Sequence, residues 1–100
     1  MGDKRRKKTA AMDDEQIGAL AADKPVVYKI LDKKGENIYT GSAKRGRVLE
    51  RIAEHLLGGA DPIPGGVKVK IEQKASIAQA QESEARVIKQ AKPRHNKRGK

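Results

Sequence analysis

Five residues have types and spacings that could do chemistry: Tyr28, Tyr39, Arg51, His55 and Glu84. Ile77, Ala80, Gln81, Glu84, Ile88 and Ala91 recur at three- and four-residue intervals, so they share one side of a helix. Glu84 therefore belongs to a packing face, whereas Glu82 points elsewhere. A carboxylate there is costly unless it is paired or bound to a cation. Two partners are open to it: an Arg or Lys at the edge of the core, or a metal ion. Arg51 and His55, four apart, share a helix face beside an apolar stripe. Together they can bind an anion, or stabilise charge and move a proton. They can equally be a solvated Arg and a partly buried His. Tyr28 and Tyr39 are the only aromatic residues, and they can be the largest pieces of the core or part of a site.

The elements that must position these residues follow from local pattern. Asp13, with Gln16 three residues later, is a weak capping box that opens a short helix through Ile17, Leu20 and Ala21, ended by Lys24-Pro25. Val26 to Leu31 is rich in β-branched residues and reads as a strand. Asp32 to Asn37 is turn chemistry, and Ile38 to Gly41 resumes extended structure, which makes a hairpin. Val48, Leu49, Ile52 and Leu56 predict a helix over about 45–57, stopped by Gly58-Gly59. Asp61 to Gly66 is loop. Val67 to Ile71 alternates as a strand with one wet face. Ser76 with Gln79 caps a final helix running to about Ala91, before Pro93. The order is α-β-β-α-β-α: an α+β fold with a three-stranded antiparallel sheet flanked by helices, provided the third strand joins the hairpin.

Composition narrows the function classes. One hundred residues make one domain, and without Phe or Trp its core must come from Ile, Val, Leu and Ala. The lack of Cys excludes disulfides, Cys-ligated zinc and thiol chemistry. No apolar run approaches the roughly 20 residues of a membrane span, and the charged start leads into no apolar signal segment. A cytoplasmic protein without membrane contact is expected, with nucleoid association an alternative. The net charge of +10 is concentrated: residues 1–9 carry +4 and residues 92–100 carry +5, leaving a nearly neutral body. Residues 1–11 read as a basic disordered tail, 12–96 as the domain and 97–100 as a second basic tail. Lys4, Arg5, Arg6, Lys7, Lys8, Arg94, Lys97 and Arg98 suit a polyanion, nucleic acid above all. The same runs also suit solubility or targeting.

The spacing of the whole set resembles the GIY-YIG nuclease domain. Val26-Val27-Tyr28 and Tyr39-Thr40-Gly41 are similar to its two short motifs, and Arg51-Ile52-Ala53-Glu54-His55 to its helix motif. Glu84, Val87-Ile88 and Pro93-Arg94-His95-Asn96 resemble its metal-binding Glu, apolar pair and Pro-x-x-Asn ending. The resemblance covers residues 26–96. Val26 stands where Gly is usual, and Thr40 where Ile is common. The stretch holding Lys44-Arg45-Gly46-Arg47 is about two residues longer than usual and makes Arg47 a competitor to Arg51, although only Arg51 keeps the spacing to His55.

The resemblance implies a metal-dependent endonuclease that hydrolyses DNA phosphodiester bonds with Mg²⁺ or Mn²⁺ and no small-molecule cofactor. Glu84 would hold the ion and Arg51 would meet the phosphate. A tyrosine, Tyr39 in preference to nearby Tyr28, would accept the water's proton, and His55 would relay or donate one. Asn96 would orient Glu84 or the backbone of the final turn. Lys44, with Arg45 and Arg47 beside it, would touch phosphate, and a partner or oligomer would supply site recognition. Two rival readings are an inactive domain of the same fold and an unrelated small basic nucleic-acid-binding protein.

Overall fold

The computed structural model describes residues 8–21, 23–56, 59, 62–93 and 96. Along the chain run β1 (Thr9–Ala11), α1 (Asp14–Ile17), β2 (Val26–Leu31), β3 (Asn37–Ala43), α2 (Val48–Ala53), β4 (Lys68–Gln73) and α3 (Ile77–Ala91). The sheet is antiparallel with strand order β1-β4-β2-β3. The third expected strand does join the hairpin, on the far side of β2. Among the described residues no helix is long and apolar enough to cross a membrane.

The sheet has four strands rather than three, and the extra one comes from the expected N-terminal tail. Thr9, Ala10 and Ala11 pair with Lys70, Val69 and Lys68. The Ile71 amide donates to the Lys8 carbonyl at 2.8 Å, so pairing starts one residue earlier. Ala10 is buried beside Val69. Residues 1–7 of the tail, and Arg94, His95 and 97–100, lie outside the described residues.

Helix ends also differ from expectation. Asp13 does cap α1, its Oδ1 accepting from the Gln16 amide at 2.8 Å. The helix is a single turn, because Gly18 follows Ile17 and continuing a helix through Gly is unfavourable. α2 ends at Ala53, four residues early. His55 and Leu56 donate their amides to Ile52 and Ala53, three residues back, and the His55 carbonyl accepts from Ile63. This tightened tail turns His55 inward. α3 matches expectation at its start: Ser76 Oγ accepts from the Gln79 amide, and Gln79 Oε1 accepts from Ala75. Its buried arc is Ala80 and Ser83, with Glu84, Val87 and Ile88 half-buried. Gln81 and Ala91, assigned to the packing side by spacing, are exposed. The helix is rotated by about one position from the expected stripe.

Period-two alternation divides the sheet into two faces. Val26, Tyr28, Ile30, Val69 and Ile71 point to one side and pack with Ile17, Leu20, Val48, Ile52 and Ile63 in the main core. Val27, Lys29, Thr40, Ser42, Lys70 and Glu72 point to the other, where α3 docks on β3 and β2.

Candidate active site

Tyr28 sits opposite Gly41 in the β2–β3 ladder, and its ring lies across the glycine. A Cβ at Gly41 would stand 2.5 Å from the Tyr28 hydroxyl oxygen and 2.6 Å from Cζ. Over this gap the phenol reaches His55, with Oη 2.8 Å from Nε2. Both side chains are buried. Burial first, then the neighbouring Tyr39, Glu84 and Glu54, push the Tyr28 phenol well above its ordinary pKa, and Arg51 opposes them in part. Tyr28 is therefore a neutral phenol held behind the site.

Tyr39 occupies the front. Its ring lies 4.7 Å from His55 and 6.2 Å from Tyr28, centroid to centroid. It is half-buried and lines a cavity of about 390 Å³ with Gly41, Ser42, Lys44, Arg47, Arg51 and Glu84. The cavity wraps the edge strand: Tyr39 and Gly41 belong to the core face of β3, Ser42 and Glu84 to the α3 face.

Of the two partners open to Glu84, the Arg or Lys is absent among the described residues; Glu84 Oε1 accepts from Ser42 Oγ at 2.7 Å. A neutral hydroxyl orients the carboxylate without neutralising it. No described cluster of three or more His, Cys, Asp or Glu could hold a metal ion, and Glu84 is the one carboxylate among the described residues lining the cavity. That donor set fits Mg²⁺, which keeps several waters and takes one or two carboxylates plus phosphate oxygens.

The two competing arginines both line the cavity, but their guanidinium groups differ. Arg47 Nε is 2.7 Å from Glu50 Oε1, whereas Arg51 Nη1 is 3.8 Å from Glu54 Oε1, beyond hydrogen-bond distance. Arg51 thus keeps its donor fork available. Lys44 adds a third cation to the lining, while Arg45 is exposed on the turn and does not reach it. Gly46, at φ +89°, makes that turn, with the Arg47 amide donating to Lys44.

Asn96 meets neither Glu84 nor only its own turn. Its Oδ1 accepts from the Thr40 amide at 2.7 Å and its Nδ2 donates to the Thr40 carbonyl at 2.9 Å. The side-chain amide thus stands in for a fifth strand on the open edge of β3, next to Tyr39. Lys92, at φ +48°, ends α3 in the left-handed region; Pro93 is buried, and the Asn96 amide donates to its carbonyl at 3.0 Å. Thr40 is itself fully buried, and its hydroxyl accepts from Asn37 Nδ2 at 2.7 Å. Val26, the other departure, is plain core. Ser42 was not foreseen; its only sequence signal is that alternation puts it on the same strand face as Thr40.

No protein-family model matches the chain. It is 33% identical over 93 residues to the UvrABC system protein C of Methylococcus capsulatus, a match covering 87% of this chain and 15% of that relative's length. In three dimensions it resembles the GIY-YIG N-terminal endonuclease domain of UvrC from Thermotoga maritima, solved bound to its catalytic divalent cation, magnesium. The TM-score is 0.60 at 25% identity, covering 75% of this chain and 85% of that one.

Proposed function

The chain carries a GIY-YIG domain, and from that premise we propose that it is an endonuclease hydrolysing DNA phosphodiester bonds with Mg²⁺ or Mn²⁺. One observation carries the reading: Glu84 presents a carboxylate with no cationic partner among the described residues, in the same cavity as Tyr39 and Arg51. A structural carboxylate on a packing face would be paired. This one is oriented by Ser42 and has no cationic partner among the described residues.

Each residue then has a task set by its position. Glu84 holds the ion, which when bound supplies Lewis-acid polarisation of the phosphate. Arg51 sets its fork against phosphate oxygens as negative charge gathers there. Tyr39, which lines the cavity, takes the proton of the attacking water after giving up its own phenol proton to solvent. Tyr28 cannot do so, being buried and held neutral; with His55 it fixes the wall behind Tyr39. Asn96 fixes the Thr40 backbone and so the strand that carries Tyr39. Lys44 and Arg47 draw the DNA backbone to the cavity, and the basic runs Lys4 to Lys8 and Arg94, Lys97 and Arg98 add sequence-independent affinity.

Supercoiled plasmid incubated with Mg²⁺ or Mn²⁺ tests this. The protein nicks the plasmid, chelator stops it, and Glu84→Gln does not nick. Equal nicking by both proteins would point to another site or to contamination.

A further inference from the structure

The nearly neutral net charge of the body hides a segregated one. On the α3 face of the sheet, beyond the helix, Lys29 of β2 stands directly opposite Lys70 of β4, with Lys68 next along β4 on the same face. Cross-strand neighbours have Cβ atoms about 4.5–5.5 Å apart, and like charges there are destabilising. Alternate residues of one strand are about 7 Å apart. None of the three lysines has an ion-pair partner among the described residues. Lys70 and Lys68 are exposed and Lys29 is half-buried. The acid among them is Glu72, bonded to Lys74 Nζ at 3.0 Å. That carboxyl is held below its ordinary range by Lys74 first, with Lys29 and Arg86 also acting on it. Three cations thus act on one carboxylate, and Lys68 and Lys70 extend the positive face beyond it. A hollow of about 280 Å³ lies among Val27, Lys29, Lys70 and Glu72. Thr9, paired with Lys70, brings the N-terminal strand to this patch, and in sequence Lys4, Arg5, Arg6, Lys7 and Lys8 come immediately before it.

Two lysines facing each other across a ladder, neither in an ion pair among the described residues, repel one another, and a multivalent anion removes that cost. We infer that Lys29, Lys68 and Lys70 form a docking surface for the phosphate backbone of duplex DNA, separate from the cavity at Glu84. The choice of duplex DNA rests on the proposed function; the patch itself rests on charge and register. It holds the duplex on the outer face while a strand passes the β3 edge, where the cavity opens.

Binding of a fluorescent duplex, measured by anisotropy in chelator over 50–300 mM salt, tests this without any cleavage. The triple variant Lys29→Gln, Lys68→Gln, Lys70→Gln lowers affinity and flattens the slope of log affinity against log salt by about 2–3, at about 0.9 per lost phosphate contact. It also melts at the same or a higher temperature, since the repulsion is gone. The control Lys24→Gln, Lys33→Gln, Lys34→Gln, with equal charge loss elsewhere, changes the slope by less than one. An unchanged slope in the first variant, or equal flattening in the control, overturns the proposal. So does a loss seen only with single-stranded RNA or with anionic vesicles as the probe. Because no cleavage is read, a failure of the nuclease reading would leave this result standing, and the reverse holds too.

Discussion

Gly41 lies under the phenol of Tyr28, so close that the hydrogen bond from Tyr28 to His55 exists only because residue 41 has no side chain. The relationship joins the centre of the sheet to the tail of α2 and puts a rigid wall behind Tyr39.

Gly41→Ala should therefore destabilise the domain by about 1–3 kcal/mol, the usual range for overpacking a tight site. Tyr28→Phe removes one partner of a buried hydrogen bond and should cost about 1–3 kcal/mol. Because both act on one contact, the double variant should cost less than the sum, measured by denaturant melts.

Tyr28 also fixes a pH response. Its folded pKa is raised above the ordinary value of about 10. Its contribution is fully present below the unfolded value and is lost as pH rises above it, because only the unfolded phenol ionises. Melting temperature should fall between about pH 9.5 and 11, and Tyr28→Phe should fall less steeply. Parallel curves for the two proteins would contradict the buried phenol.

Asn96→Ala removes two bonds to the Thr40 backbone and should cost about 1–3 kcal/mol, at 0.5–1.5 for each bond. Asn96→Asp should be no better than Ala, since it sets a carboxylate oxygen against the Thr40 carbonyl. Thermal melts of the three proteins check the order.

Much of this was legible in the chain. The β-branched run from Val26, the turn at Asp32 and the Ser76 cap each carry a local signal that tertiary packing did not override. β1 carried none: Thr9-Ala10-Ala11 is short, weak in strand propensity and adjoins a cationic run. The early end of α2 depends on Ile63 bonding to His55, a contact that no local pattern encodes. Glu84 was recognisable as a carboxylate on a packing side. Its partner Ser42 was not, because which strand residue meets a helix residue is set by docking and rotation. Asn96 was legible only through the family resemblance, and its target on Thr40 not at all.

Ser42 is a positioning residue in this account, acting through Glu84. Ser42→Ala should raise the Mg²⁺ concentration needed for half-maximal nicking by about tenfold or more, with the rate recovering at high Mg²⁺. A lower rate at every Mg²⁺ concentration, with an unchanged half-maximal point, would place Ser42 elsewhere in the mechanism.

The Glu84 carboxylate is assigned to a cation rather than to the fold, and thermal melts of wild type and Glu84→Gln with and without Mg²⁺ or Mn²⁺ test that assignment. Without metal, the variant should melt at or above the wild-type temperature, since Gln can keep the bond from Ser42 and no ion pair is broken. Added metal should raise the wild-type temperature by ligand linkage and leave the variant unmoved. A metal-free loss in the variant matching the roughly 3–5 kcal/mol of a broken buried ion pair, with equal metal responses in both proteins, would contradict it.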